Sequence, residues 1–182
     1  MLIAHGYTRA TTAGGEWTFA PAFARLADLG TPREIVALYA ELHGPAPGMS
    51  ARYVLGVLCE QDDCLPLLGW VELAGDTPTH HPGLIPEVEQ VILARHLMRH
   101  GIAGTPQPGG PAGEYVQEFD PAAYIAAARV HLGVSAAEAG AMSMSEFQSL
   151  MLAKLPPQAG GPPTREEYEA TMALLDGRRD HG

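Results

Sequence analysis

The chain has 182 residues, the length of one domain or of one domain with a small appendage. Hydrophobic residues make up 46% and charged residues 18%, a globular rather than a disordered composition. Its formal net charge of -10 argues against a nucleic-acid partner, because phosphate binding needs a clustered positive surface. The N-terminal MLIAHGYTR lacks the basic-then-apolar pattern of a signal peptide, and no stretch approaches the roughly 18 apolar residues of a membrane span. Cys59 and Cys64 are too close together for a disulfide framework and read as reduced thiols in a cytoplasm.

In chain order, Tyr7 to Ala10 and Glu16 to Ala20 are β-prone segments that predict a hairpin around the polar Thr11–Gly15. Phe23, Leu26 and Leu29 suggest a helical turn closed by Gly30. Thr31, Pro32 and Glu34 then spell a capping box, leading a stripe of Ile35, Leu38, Tyr39 and Leu42. Ser50 is expected to cap a second apolar helix through Tyr53, Val54, Val57 and Leu58. Leu65 to Leu73 is apolar and of uncertain type, while Asp76 to Gly83, with Pro78, His80, His81 and Pro82, reads as loop. Pro86 opens a helix expected to run to His100 and stop at Gly101.

Residues 104–113 are built largely from glycine and proline and separate residues 1–103 from residues 114–182 as a loop or linker. Beyond it, Asp120-Pro121 starts a helix ended by Gly133. Ser135 with Glu138, Ser143 with Glu146, and Thr164 with Glu167 repeat the capping-box pattern. Each box precedes apolar residues at helical spacing, so independent signals agree. The Ser143 box leads Phe147, Leu150, Met151 and Leu155; the Thr164 box leads Tyr168, Met172 and Leu175. Helices this short hold only when packed, either on each other or on a partner. The adaptable methionines among them favour a protein-binding surface made of Phe147, Leu150, Met151, Leu155, Tyr168 and Met172.

The one arrangement that points to chemistry is His96 and His100, four residues apart on a helix and able to face one metal. A third ligand would have to come from elsewhere in the chain, for instance His80, His81 or Cys64. The plainer reading is a polar face near a helix C-terminus, where Arg and His suit the dipole. No phosphate loop, G-x-S-x-G or H-E-x-x-H motif occurs, so no catalytic residue and no cofactor is assigned.

Two passages resemble proteins of tailed bacteriophages and prophages. Trp17-Thr-Phe-Ala-Pro-Ala-Phe-Ala-Arg-Leu-Ala-Asp-Leu is similar to the aromatic–Pro–x–Phe opening of phage and gene-transfer-agent tail assembly chaperones. Ala141-Met-Ser-Met-Ser-Glu-Phe-Gln-Ser-Leu-Met-Leu-Ala-Lys-Leu-Pro-Pro resembles the Met-Thr/Ser-x-x-Glu-Phe helix near the end of many such proteins. The resemblance implies a small helical chaperone in the host cytoplasm. It would bind the tape measure protein and tail tube subunits, without cofactor or catalysis.

The expected fold is therefore mainly α, with short helices around a small core and an N-terminal β-hairpin. Homo-oligomers fit this reading; nucleic acid and membrane do not. The alternatives are a structural virion component, such as a head–tail completion or tail terminator protein, and a metal-dependent enzyme.

Overall fold

The computed structural model describes residues 4–74, 77–105 and 117–154. Met1–Met151 form one compact unit; the second, Leu152–Gly182, is described only in its first three residues. The architecture is mainly α, as the helical stripes predict, with the expected N-terminal hairpin and a further antiparallel strand pair.

Strands β1 (Thr8–Thr12) and β2 (Gly15–Phe19) pair antiparallel, Thr8 opposite Phe19 and Thr12 opposite Gly15. Thr11 and Thr12 thus belong to the ladder, and the expected five-residue loop shrinks to Ala13–Gly14. Side chains alternate faces along a strand, which buries Trp17 and Phe19 and leaves Glu16 outside. The far edge of β2 is closed by the main chain after Leu58. Phe19 bridges to Cys59, Ala20 donates to the Leu58 carbonyl and Glu60 donates to that of Thr18.

Helix α1 (Phe23–Ala27) leads to α2 (Pro32–Glu41), which begins with the full capping box of Thr31 and Glu34. Helix α3 (Gly48–Leu58) starts two residues before the expected Ser50 cap. The Ser50 hydroxyl is drawn instead to Glu41, donating to its Oε2 at 2.6 Å. Helix α4 (Leu65–Leu68) is a single turn.

Strands β3 (Gly69–Ala74) and β4 (Thr77–Pro82) then form a second antiparallel pair, which corrects the loop reading of Asp76–Gly83. Proline cannot donate to a ladder, but a two-stranded sheet consists only of edges and accommodates Pro78 and Pro82.

Helix α5 (Glu87–Met98) buries Gln90, Val91, Ala94, Leu97 and Met98, the stripe that packs against Ala51, Val54, Leu55 and Leu58 of α3. It does not stop at Gly101, because a π-helical turn carries it on through Arg99–Ala103. Gly101 is buried for a different reason: a Cβ there would lie 2.9 Å from Leu26 Cδ1, so the glycine lets this turn approach α1.

Helix α6 (Pro121–Leu132) starts where predicted, with the Asp120 carboxylate accepting from the Ala122 amide, and ends at Gly133 in the left-handed conformation. Helix α7 (Ala136–Ala141) carries the complete Ser135–Glu138 capping box. Helix α8 (Met144–Lys154) begins with the Glu146 amide donating to Ser143 Oγ. Phe119, Ala128, Ala139, Met142 and Met144 share one core with Phe19, Phe23 and Leu26, so residues on both sides of 104–113 build the same interior.

Candidate functional site

The stripe assigned to protein binding divides once folded. The Phe147 ring lies edge-on to Phe23 at 6.1 Å and to Tyr124 at 5.9 Å, in a group that also stacks Tyr124 on Phe119 at 5.1 Å. Such aromatic pairs add about 0.5–1.5 kcal/mol beyond the area they bury. Phe147 is thus half-buried and packs against the protein's own core. Leu150, three residues on, is 39% exposed, and Met151 is half-buried. Leu155, Tyr168 and Met172, with the Thr164–Glu167 box, lie outside the described residues.

The histidine pair is real in space. His96 and His100 rings sit 4.6 Å apart, and His100 Nδ1 is 2.7 Å from Ser145 Oγ. Burial holds both rings below the usual histidine pKa. Arg99 adds to the effect on His96, while hydrogen bonding at the Gly6 backbone opposes it. His96, Arg99 and His5 add to the effect on His100. Nε2 of His96 is buried without a hydrogen-bond partner among the described residues. Of the proposed third ligands, His81 stacks on Trp70 at 4.6 Å and meets Glu72 Oε2 at 3.0 Å, and the Cys64 thiol is hydrogen-bonded to Cys59; the side chain of His80 lies outside the described residues. Among the described residues, no group of three His, Cys, Asp or Glu side chains is placed to hold a metal.

The cysteines also have a defined setting. Both are free thiols, Cys59 buried at the end of α3 and Cys64 half-buried before α4. A hydrogen bond from Cys64 pushes the Cys59 thiol down to about 7, and the same bond raises Cys64. Arg25 lies close enough to favour the Cys59 thiolate and anchors the local backbone by donating to the Cys59 carbonyl at 2.6 Å.

The surface supplies what local pattern could not foresee. Met49 and Tyr53, one turn apart on α3, are 66% and 48% exposed. They line a hollow of about 400 Å³ with Arg52, Gly56 and Val57. Tyr53 also lines a second hollow of about 400 Å³, with Leu38, Glu34 and Glu41 of α2 on its far side. On α5, Val88 and Ile92 project outward as a second exposed pair. A sequence reading of α3 anticipates an apolar helix, but which face stays bare is decided by the packing of α5 against the opposite side. No described helix is long and apolar enough to cross a membrane.

No curated protein and no solved structure matches the chain. Residues 45–170, more than half of the chain, match the model of a family of unknown function (DUF6246), and the protein belongs to that family.

Proposed function

We propose that the protein is a tail assembly chaperone of a tailed bacteriophage or prophage. It holds the tape measure protein in the host cytoplasm, keeps that protein's apolar helices soluble, and engages tail tube subunits. The observation that carries this reading is the meeting of the two passages that resemble such chaperones. Phe23 of the first touches Phe147 of the second, and the Phe23 amide donates to the Met142 carbonyl at 2.9 Å. Motifs far apart in the chain thus make one packed unit, as expected if they were retained together.

Exposed apolar residues on α3, α5 and α8 suit the binding of helical clients. Leu150 and Met151 remain client contacts in this reading, whereas Phe147 positions the helix that bears them. A completion or terminator ring is less well supported, because the described strands form only two short antiparallel pairs.

The test is co-expression with the tape measure protein encoded by the same phage. The chaperone should co-purify with it and raise its soluble fraction. A tape measure protein that stays insoluble and is not retained overturns the proposal.

A further inference from the structure

Cys59 and Cys64 are the two cysteines of the sequence, separated by Glu60, Gln61, Asp62 and Asp63. Cys59 closes α3 and Cys64 stands just before α4, so the thiols flank one short loop between helices. That loop is fixed along its length. The Glu60 amide donates to the Thr18 carbonyl at 2.8 Å, and the Thr18 amide donates to Gln61 Oε1, also at 2.8 Å. The Trp17 indole donates to the Asp63 carbonyl at 3.2 Å, and the Leu65 amide to Asp63 Oδ1 at 2.9 Å. Within this frame the Cys64 thiol donates to Cys59, and the Cys59 thiol to Gln61 Oε1 at 3.4 Å. Cys59 is 3% exposed whereas Cys64 is half-buried, so a reagent in solution meets Cys64 first.

We propose that Cys59 and Cys64 form a reversible disulfide site, closed by a low-molecular-weight disulfide and reopened by thiols. The hydrogen bond from Cys64 favours the Cys59 thiolate, with the Gln61 backbone and Arg25 adding to it. As that thiolate accepts the Cys64 proton, the Cys64 sulfur attacks one sulfur of the reagent RSSR; Cys64–S–S–R forms and RS⁻ leaves. The departing RS⁻ then takes the proton from Cys59, whose sulfur attacks the Cys64 sulfur and displaces the second RS⁻. The thiol pair loses two electrons, and the reagent gains them as two separate thiol species. Because the loop is already held in the reduced protein, the second step is unimolecular and costs little chain freedom. The sulfurs have only to close from hydrogen-bonding contact to about 2.05 Å. The bridge ties the end of α3 to the start of α4, across the loop that seals the edge of β2. A reducing compartment keeps the pair open, and an oxidising one closes it.

The test equilibrates the full-length protein in glutathione buffers of rising disulfide content, quenches in acid, alkylates in denaturant and measures intact mass. Reduced protein should carry two alkyl groups. Oxidised protein should be a monomer that carries none, lacks two hydrogens and bears no glutathione, a mass that two cysteines explain only by this bridge. Dithiothreitol should restore the reduced form. At fixed glutathione, half-oxidation of the folded protein should need at least about tenfold less glutathione disulfide than half-oxidation of the same chain in urea. Cys59→Ser should stop at a glutathione adduct on Cys64, and folded Cys64→Ser should take up none. A wild type that stays reduced, halts at the glutathione adduct or crosslinks into dimers overturns the site. So does a folded protein that oxidises no more readily than the denatured chain. Glutathione uptake by Cys64→Ser equal to that by Cys59→Ser overturns Cys64 as the point of attack. The wild-type masses decide the bridge even if Cys59→Ser fails to fold.

Discussion

Phe23 and Phe147 meet edge to face, with ring centroids 6.1 Å apart and planes inclined at 71°. One comes from the first helix and the other from the last described helix, and Tyr124 from α6 contacts both. The contact makes α8 part of the interior on one side while Leu150 faces out on the other.

The first prediction separates these sides. Phe147→Ala should lower stability by about 2–4 kcal/mol in urea denaturation, the range of large aromatic truncations moderated by partial exposure. Leu150→Asp should change it by less than about 1 kcal/mol, as surface replacements do, while weakening retention of the tape measure protein. An undisturbed fold in Phe147→Ala would return that residue to the binding surface.

Gly56→Ala should stabilise the free protein by about 0.5–1 kcal/mol, since the methyl meets nothing and the helix interior gains propensity. Thermal denaturation measures this directly. A loss of stability would mean that Gly56 has an internal role that the folded chain does not display.

Gly83 lies where β4 ends beside the start of β3, and a Cβ there would sit 2.2 Å from the Leu67 carbonyl oxygen and 2.3 Å from the Gly69 amide. Those are backbone atoms that cannot rotate away. Gly83→Ala should cost more than about 1 kcal/mol and reduce protection of the β3–β4 amides in hydrogen exchange. Protection equal to the wild type would contradict this packing.

Acid sensitivity follows from the histidines. Burial, followed by the neighbouring His96, Arg99 and His5, holds His100 below its ordinary value of 6.5. The folded state therefore binds fewer protons than the unfolded state just below pH 6.5. The stability this supplies is complete above that pH and is lost as pH falls through the folded-state pKa. His100→Asn, which keeps a donor near Ser145, should show a smaller drop in Tm between pH 7.5 and 5 than the wild type. Parallel curves would show that His100 does not titrate differently on folding.

What the sequence made legible was local. Thr31 with Glu34, Asp120 with Pro121, and Ser135 with Glu138 mark helix starts because their bonds close within one turn. Ser50 misled because its hydroxyl finds Glu41, a partner contributed by a different helix. Strand β4 was hidden because proline and histidine have little intrinsic strand preference, and its pairing with β3 is what makes it a strand. The candidate surface lay further from view. Phe147 and Leu150 belong to one stripe by spacing, and only the position of Phe23 and Tyr124 decides which of them turns inward. Gly56 looks like an ordinary helix flaw until the emptiness beside it is seen.

The start of the chain is clasped by its later part. Ser143 Oγ donates to the His5 carbonyl, the Tyr7 hydroxyl to that of Ala141, and the Phe23 amide to that of Met142. Contacts of such long sequence separation raise the contact order and slow folding. During synthesis, the hairpin and α1 emerge long before α6 and α8, so Phe23 precedes all three of its ring partners, Phe119, Tyr124 and Phe147. A nascent chain halted before α6 should accordingly be sensitive to protease across Pro21–Leu29, and release of the full chain should end that sensitivity.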